Sequence, residues 1–359
     1  MKMTRSVALM AATALPTCGW AQDADDKIEP PKVMEIDRNG QGEDAEIKAD
    51  IVLQGLNNPC GVAIQPETGD VFVADSGNYQ IIKMGVGESD PVITDFPKDV
   101  YGKGPKVNIG PLGLLFLSKD ALVVGGGGQP DGAELLRVYK VPADGESIKA
   151  EETEATFSLA ETDDVKGEGN FYALASDGEA VYVTCNGDDT KGWVSRAAIK
   201  DGTLVDFERY LATKEATEVD APVGITMSPQ DQGGYMVVGQ MGEISIPGDS
   251  LLSFYDEEKN LRLNLETGLH DICAVAYSSR KRLYVLDYAW ADTTQGGLFQ
   301  VVADEESDSG MKTVKIMSLD KPTAMAFAPD GSLYITALGP AEDANSKGIL
   351  IKIPAEAKL

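Results

Sequence analysis

The sequence predicts an all-β fold, a six-bladed β-propeller, because one pattern of about fifty residues recurs six times along the chain. The inner segments of the repeat begin at Pro59, Pro111, Asn170, Pro222, Ile272 and Pro322. Successive starts are 52, 59, 52, 50 and 50 residues apart. A period in this range, with several short strands in each unit, is typical of a propeller blade.

Every unit has the same order of strands and turns. A short apolar inner strand is followed by a tight turn, as at residues 176–178, and then by a second strand rich in Val, Tyr and Leu, as at residues 283–286. The turns carry Gly, Asp and Ser, which suit tight hairpins. A third strand follows a glycine-rich loop, and a fourth, outer strand is less regular. Inner strands that are apolar on both faces indicate blades packed between two others.

The two ends of the repeat predict how the ring closes. The last unit ends after its third strand, at Ile353, and an additional strand at residues 47–53 precedes the first inner strand. We expect that strand to become the outer strand of the last blade, which removes an open sheet edge. The predicted propeller therefore spans residues 45–359.

Residues 1–21 have the pattern of an export signal. Lys2 and Arg5 precede an apolar run at residues 7–15, and small residues up to Ala21 form a cleavage site. The run is too short to span a bilayer as a permanent helix. We therefore expect a periplasmic or secreted protein, cleaved after Ala21, with no transmembrane anchor.

Two further features concern the amino-terminal region. An acylated Cys18 would make the protein a lipoprotein, but Thr17 is a poor fit to the small residue that such sites prefer. Residues 22–44 are acidic, contain proline and lack apolar periodicity, so we expect a flexible arm.

The charge balance limits the partners of this protein. The chain has 31 Lys and Arg against 58 Asp and Glu, a net charge of −27. Such a field repels phosphate backbones, which excludes nucleic-acid binding, and it attracts cations or basic partners. Acidity also keeps an exported protein soluble, and this simpler interpretation stays open.

Three cysteines follow the predicted signal: Cys60, Cys185 and Cys273. Their number is odd, and no Cys-x-x-Cys spacing occurs that would indicate zinc, redox or haem chemistry. Cys60 and Cys273 belong to units that are not neighbours in a six-fold ring, which argues against a disulfide. We expect buried, inert thiols.

A ring of polar residues is the first candidate site. In such a propeller, the segments before the inner strands and the loops after the second strands should share one end of the channel. Two residues before each predicted start, the units have Asn57, Ile109, Glu168, Asp220, His270 and Asp320, and Asn58 and Asp271 follow one position later. Carboxylates suit a hard cation such as Ca²⁺, so we expect Glu168, Asp220 and Asp320 to be metal ligands. Asp and Asn before a strand can also simply hydrogen-bond the turn backbone.

Aromatic loops give the second candidate site. Loops 186–193 and 287–292 combine carboxylates with Trp193 and Trp290. Carboxylates beside aromatic rings suit sugars, cationic ligands or peptides, so we expect these tryptophans, with Asn57, Asn58 and Asp271, to bind ligand. Packing against the blade edges is the alternative. A Ser-His-Asp set is excluded, because His270 is the chain's one histidine.

Unit one resembles an NHL repeat. Pro59–Ile64 has a similar proline-glycine-valine opening, and Ala74-Asp75-Ser76-Gly77-Asn78 is similar to the turn of that family. The match is closest in unit one and weaker in the other units, and it implies a propeller fold. Six units are also similar to the SMP-30/gluconolactonase-like propellers.

The related enzymes imply specific site residues. Lactonase-like propellers place Asn or Asp metal ligands directly after the equivalent prolines, where this chain has Cys60, Leu112, Val223 and Thr323. These side chains cannot supply such a metal site. Streptogramin-lyase-like propellers use a His and a Glu near a metal, and the resemblance implies His270 with Glu168 in those roles.

Two functions follow from the sequence. We favour an exported binding module for a protein, a glycan or a small ligand, with an acidic, glycine-rich face organised by Ca²⁺. The alternative is a metal-assisted hydrolase or lyase of the SMP-30/gluconolactonase-like or streptogramin-lyase-like type, which would use Glu168, Asp220, His270 and Asp320. A scaffold without a small-molecule site is a third interpretation.

Overall fold

The structure is a computed structural model that describes residues 47–85, 89–101, 106–187, 191–338 and 348–359. The predicted export signal (1–21), the predicted arm (22–44) and Cys18 lie outside these residues, as does part of the loop 186–193. Within them, no helix has both the length and the apolar character needed to cross a membrane.

The regular secondary structure of the described residues is nearly all β. The first half of the chain forms β1 (Asp50–Leu56), β2 (Pro59–Ile64), β3 (Val71–Asp75), β4 (Gln80–Met84), β5 (Ser89–Thr94), β6 (Asp99–Tyr101), β7 (Val107–Ile109), β8 (Pro111–Ser118), β9 (Ala121–Gly126), β10 (Leu136–Lys140), β11 (Ile148–Lys149), β12 (Ala155–Phe157), β13 (Leu174–Ser176) and β14 (Ala180–Cys185). The second half forms β15 (Trp193–Lys200), β16 (Thr203–Ala212), β17 (Pro222–Met227), β18 (Met236–Gln240), β19 (Leu251–Tyr255), β20 (Leu261–Glu266), β21 (Ile272–Tyr277), β22 (Leu283–Asp287), β23 (Gly297–Ala303), β24 (Met311–Ser318), β25 (Pro322–Phe327), β26 (Leu333–Ala337) and β27 (Gly348–Ile353). Helical structure is limited to α1 (Thr213–Thr217) and the short 3₁₀ turns Ser76–Asn78, Gln230–Gln232, Thr293–Gln295 and Ala355–Ala357.

These strands build the six blades that the sequence predicts. From the inside outward, blade one is β2-β3-β4-β5 with β11 at its edge, blade two β8-β9-β10-β12, blade three β13-β14-β15-β16, blade four β17-β18-β19-β20, blade five β21-β22-β23-β24, and blade six β25-β26-β27-β1. The inner strands of successive blades contact one another around the whole ring, and β25 contacts β2. The predicted six-bladed β-propeller is therefore confirmed.

Blade six combines the two ends of the described chain. β1 pairs antiparallel with β27, from Asp50 opposite Lys352 to Leu56 opposite Gly348. The strand expected at residues 47–53 begins three residues later, at Asp50. The outer position of the last blade is thus filled by the first described strand.

In blade three, the structure corrects the start of the repeat that the sequence predicts. Leu174 pairs with Val183, as Val62 pairs with Val73 in blade one, so the segment begins at Phe171 and not at Asn170. Asn170 has φ +47°, which matches the +48° of Asn58 just before the inner segment of blade one. The error arose because a run of glycine and asparagine precedes this segment, with no proline to mark its start. Tyr172 is therefore the equivalent of Cys60, and Glu168 moves out of the predicted ring position.

The apolar core lies between successive blades. Phe72 of blade one meets Phe116 of blade two edge to face, with ring centroids 5.1 Å apart. Near the axis the blades approach so closely that a Cβ on Gly61 would lie 2.1 Å from the carbonyl oxygen of Leu112. Glycine is required there because the backbones of two blades touch.

Candidate functional site

One end of the propeller gathers the loops that the sequence singles out. In blades two, four, five and six, the first N–H after the second strand donates to the carbonyl of the residue just before the inner strand. These bonds are Gly127 to Gly110 (2.9 Å), Met241 to Ala221 (3.0 Å), Tyr288 to Asp271 (2.9 Å) and Leu338 to Lys321 (3.0 Å). The pre-strand segments and the loops therefore lie together, and we call this end of the propeller the axial face.

Below the axial face, the second residues of the six inner segments surround the axis. This axial ring consists of Cys60, Leu112, Tyr172, Val223, Cys273 and Thr323. Tyr172 packs against the apolar cluster of Cys60 and Leu112 and also against the cluster that contains Cys273. Four of these side chains are apolar or thiol groups, and the hydroxyls of Tyr172 and Thr323 donate to the carbonyls of Thr323 and Pro59. The positions where lactonase-like propellers hold a metal therefore lack carboxylate and amide ligands in this ring.

The cysteines of the axial ring are free thiols. Cys60 and Cys273 are both unpaired and buried, as is Cys185 in blade three, which confirms the expected buried thiols. Burial raises the pKa of the Cys60 thiol to about 12 and raises the pKa of Cys273 well above its ordinary value. Both groups stay protonated near neutral pH, so they are poor nucleophiles.

Two asparagines of the predicted site are buried in local hydrogen bonds. The side chain of Asn57 donates to Asn78 Oδ1 at 3.3 Å, and that of Asn58 donates to the carbonyl of Asn108 at 2.9 Å. Ile109 is buried beside Cys60 in the apolar cluster. These contacts support the turn-stabilising interpretation for Asn57 and Asn58.

The three expected metal ligands have separate partners. Glu168 is fully buried, and its Oε2 accepts from the N–H of Gly187 at 3.0 Å. Asp220 pairs with Lys214 at 3.0 Å, and Asp320 pairs with Lys321 at 3.5 Å.

The described residues also contain no group of three or more His, Cys, Asp or Glu that could hold a metal ion. Calcium at the axial face stays a prediction from the sequence, and we derive no step through it.

The segment before β21 and the loop after β22 form a different polar cluster. Asp287 is fully buried, and its Oδ1 accepts from the N–H groups of Asp271 (2.7 Å) and Ala289 (3.1 Å). Its Oδ2 accepts from the N–H of His270 at 3.1 Å. One carboxylate thus fixes both the pre-strand segment and the loop that carries Trp290.

Asp271 is the most unusual residue of this cluster. Its side chain is 1% exposed, Oδ2 accepts from the N–H of Trp290 at 2.5 Å, and the buried Oδ1 has no hydrogen-bond partner among the described residues. Burial raises the pKa of Asp271, the Trp290 bond lowers it, and the charges of Asp287 and Asp249 raise it further. A buried carboxylate oxygen without a donor is costly, so it requires an explanation.

An aromatic pair lies beside Asp271. The rings of Tyr288 and Trp290 are stacked, with centroids 4.9 Å apart and an angle of 27° between their planes, and both are half-buried. Burial raises the pKa of Tyr288, and the charges of Asp320 and Asp271 raise it further. The ring packs against the apolar cluster that contains Cys273, which places it close to the axis. We call His270, Asp271, Tyr288, Trp290 and Asp320 the blade-five site.

Trp193 has a different environment. It begins β15 in blade three, packs on the core between blades two and three, and has the ammonium of Lys191 5.7 Å from its ring centroid. His270 contacts Asp287 and Ser250 in blades four and five, whereas the hydrogen bond of Glu168 lies in blade three. The structure thus places Trp290 and Asp271 together, and places Trp193 and Glu168 in another blade.

Sequence reasoning missed Tyr172, Tyr288 and Asp249. Tyr288 lies inside loop 287–292, but Trp290 was the aromatic residue of that loop that the sequence predicted to bind ligand. Tyr172 could have been recognised as the one aromatic residue of the axial ring, had the start of blade three been placed correctly. Asp249 carries no sequence signal, because its relation to Asp271 depends on how blades four and five pack.

Comparison with known proteins identifies the fold. No protein-family model matches the sequence, and neither does any curated protein. Among solved structures, a gluconolactonase from Xanthomonas campestris is 14% identical with a TM-score of 0.57, covering 91% of this chain and 95% of that protein. A PQQ-bound aldose sugar dehydrogenase from Streptomyces coelicolor is 13% identical with a TM-score of 0.54, covering 85% and 98%. A soluble aldose sugar dehydrogenase from Escherichia coli is 12% identical with a TM-score of 0.55, covering 85% and 98%.

The cofactor of one neighbour does not fit the blade-five site. PQQ is a tricarboxylate, and its binding calls for cationic side chains. Among the described residues, the charges that act most on Asp271 are the carboxylates of Asp287 and Asp249 and the imidazole of His270, and Lys321 is already paired with Asp320. We therefore derive no step through PQQ.

The fold is clear from these comparisons and from the ring of blades. Identities of 14% or less establish shared architecture and leave function to the site itself. The protein is a six-bladed β-propeller whose structural neighbours include gluconolactonase-like propellers.

Proposed function

We propose that the blade-five site binds a small, polyhydroxylated ligand of the carbohydrate class. The observation that carries this proposal is the buried, unpartnered Oδ1 of Asp271 beside the stacked rings of Tyr288 and Trp290. Sugars present C–H faces that pack on aromatic rings, and hydroxyl groups that donate to carboxylates. Because Oδ1 is buried, the loop that carries Trp290 would have to open before a ligand hydroxyl could supply the donor that Asp271 lacks among the described residues.

The fold neighbours support the same ligand class. Their names identify them as a gluconolactonase and as aldose sugar dehydrogenases, which are enzymes of sugar chemistry. Because one propeller scaffold serves many functions, this support is an analogy of fold. It adds weight only because the blade-five site has the side chains that a sugar requires.

Binding fits the site better than metal-assisted hydrolysis. The metal positions of lactonase-like propellers are occupied here by side chains such as Leu112 and Val223, which offer no ligand atom. Asp220 and Asp320 are each paired with a lysine. We therefore favour a binding module for a small ligand over a metal-assisted enzyme.

One observation favours a second candidate, hydrolysis of a sugar lactone or ester without a metal. His270 is half-buried and lies within electrostatic reach of Asp271 and Asp292. An imidazole so placed could act as a general base toward a ligand on the aromatic pair. Turnover of aldonolactones that disappears in His270→Ala, with the fold unchanged by circular dichroism, would support this candidate.

Ligand binding by the purified protein tests the main proposal. Aldoses and aldonolactones should quench or shift tryptophan fluorescence and should show saturation transfer by NMR. Trp290→Ala should weaken binding at least tenfold, a typical loss for an aromatic anchor. Trp193→Ala is the matched control, because Trp193 lies in blade three with Lys191 over its ring, and it should leave affinity unchanged.

Two results would reject the carbohydrate site. The first is the absence of any saturable signal with these sugars in the unmodified protein. The second is equal binding by the unmodified protein and by Trp290→Ala, since the ligand would then lie elsewhere.

A further inference from the structure

The charge around Asp271 limits which ligand of the proposed class can bind. Its Oδ1 is buried and has no hydrogen-bond partner among the described residues, and the same is true of Oδ1 of Asp249. Ser250, the residue after Asp249, donates its hydroxyl to the carbonyl of His270 at 2.8 Å, so the segments that carry Asp249 and Asp271 meet at the junction of blades four and five. The charge of Asp249 also raises the pKa of Asp271. Two carboxylate oxygens at this junction therefore lack a donor among the described residues.

The protein supplies little positive charge in return. Asp287 already accepts three backbone N–H groups, so its donors are neutral. The other oxygen of Asp249 accepts the N–H of Glu243 at 2.9 Å, also a neutral donor. Among the charges of described residues that act most on Asp271, that of His270 favours the ionised form, and those of Asp287 and Asp249 oppose it. The cluster is short of a cation, and burying an uncompensated carboxylate is unfavourable.

The aromatic pair provides a second, independent preference for positive charge. Tyr288 and Trp290 stack with centroids 4.9 Å apart, and the backbone N–H of Trp290 donates to Oδ2 of Asp271. Ring faces attract ammonium groups, most strongly for tryptophan. An ammonium group beside this pair would meet both a ring face and a carboxylate.

We propose that the ligand of the blade-five site carries a cationic amine, whose ammonium group binds Asp271 beside the Tyr288–Trp290 pair. This inference rests on the proposed carbohydrate function and narrows it to amino sugars. Neutral sugars bind more weakly, because a hydroxyl forms a weaker hydrogen bond to the carboxylate than an ammonium does. Aldonate anions are repelled by the same carboxylates.

Calorimetry with four matched sugars tests this inference. Glucosamine, N-acetylglucosamine, glucose and gluconate differ mainly in charge and in one substituent, and the titration is made at a pH where the amine of glucosamine is protonated. We expect glucosamine to bind roughly tenfold or more tightly than glucose or N-acetylglucosamine, as for a charge-assisted hydrogen bond. Gluconate should be the weakest ligand.

Two variants test whether the preference for glucosamine over neutral sugars depends on Asp271 and Asp249. Asp271→Asn keeps the size of the side chain and an acceptor for the N–H of Trp290, so it should bring glucosamine to the affinity of glucose. Asp249→Asn should weaken the preference partially, and it keeps the test decisive if Asp271→Asn fails to fold. Asp220→Asn is the control, because its carboxylate is paired with Lys214, and it should leave the preference intact.

The outcomes separate the two proposals. Equal binding of glucosamine and N-acetylglucosamine would overturn the amine inference and leave the carbohydrate site standing. If no sugar binds, the carbohydrate proposal falls, and choline is then titrated as a simple cationic probe. Binding of choline that is lost in Asp271→Asn would sustain the cation site alone, and failure of choline to bind would overturn that as well.

Discussion

The phenol of Tyr172 in blade three donates a hydrogen bond of 3.0 Å to the backbone carbonyl of Thr323 in blade six. Blades three and six lie opposite each other in the ring, so this bond crosses the propeller axis. The hydroxyl of Thr323 then donates to the carbonyl of Pro59 at 2.6 Å, which links blade six to blade one. One side chain thus connects opposite walls of the ring directly beneath the proposed ligand site.

Removal of the hydroxyl of Tyr172 should destabilise the ring modestly. Tyr172→Phe leaves the carbonyl of Thr323 without this donor and should lower the free energy of unfolding by about 1 kcal/mol. Tyr172→Ala also removes the ring that fills the axis and should cost about 3 kcal/mol or more. Urea denaturation measures both values.

Tyr210→Phe is a suitable control for that comparison. The hydroxyl of Tyr210 makes only a 3.4 Å contact with the carbonyl of Glu257 at a half-exposed position, so its removal should change stability by less than about 0.5 kcal/mol. If Tyr172→Phe is as neutral as Tyr210→Phe, the bond across the axis contributes nothing.

Asp287 and Asp75 occupy equivalent positions at the ends of β22 and β3, but only one serves the proposed site. Replacement of either by Asn turns an acceptor into a donor that faces buried donors, which should cost about 1–3 kcal/mol in each case. Asp287→Asn should in addition loosen the stack of Tyr288 and Trp290, since Asp287 fixes the loop through Ala289. Thermal unfolding compares the stabilities, and the near-ultraviolet circular dichroism of Trp290 reports the stack.

Asp75→Asn is the matched control for the aromatic signal. Asp75 accepts the N–H of Asn57 at 2.7 Å in blade one, which blade six separates from the blade of Trp290. A similar loss of near-ultraviolet signal in both variants would show a general loosening of the fold and would contradict a specific role for Asp287.

Stability should fall as pH rises because of Asp271. Burial raises the pKa of this carboxyl above its ordinary 3.8, with Asp287 and Asp249 opposing ionisation and His270 favouring it. Between pH 3.8 and the raised pKa, the native state holds a proton that the unfolded state has released. The free energy of unfolding therefore falls as pH rises through this range, and the loss is constant above the raised pKa. Asp271→Asn removes this loss, so its free energy of unfolding should rise relative to that of the unmodified protein between about pH 4 and pH 7, as measured by urea denaturation.

Asp231 gives a control of opposite sign. Its hydrogen-bonded ion pair with Lys281 lowers its pKa below 3.8, so Asp231→Asn should lose stability relative to the unmodified protein as pH rises from that lowered pKa to about 3.8, and the difference should stay constant between about pH 4 and pH 7. Parallel pH profiles for Asp271→Asn and Asp231→Asn would refute the assignment of a raised pKa to Asp271.

The outer strand of blade six should be essential to the stability of the whole propeller. Deletion of residues 45–55 removes most of β1 and exposes the edge of β27, so the melting temperature should fall by more than 10 °C or the protein should not fold. Deletion of residues 22–44, which precede β1, is the control and should leave melting unchanged. Equal melting of the two deletions would mean that β1 does not hold the ring.

Much of the site could not be predicted from the sequence because its contacts depend on how the loops fold and on how the blades pack. Asp271 and Trp290 were both singled out as ligand-binding residues, since they follow the repeat pattern at its polar end. Their hydrogen bond depends on how the loop after β22 folds back over the segment before β21. Asp249 acts on Asp271 from another blade, and no periodicity within one unit indicates such a relation.

The sequence by itself determined the architecture: six units, strands within each unit, and one end of the ring where the loops converge. This was possible because hydrophobic alternation and turn residues act over short stretches of chain and are repeated six times. Only the tertiary structure decided that Tyr172 crosses the axis, that Asp220 and Asp320 pair with lysines, and that Asp271 is buried with an unpartnered oxygen. The bond of Tyr172 and the burial of Asp271 depend on how the blades pack when the ring closes. The two lysine pairs are local in the chain, but they depend on side-chain conformation, which the repeat pattern does not specify.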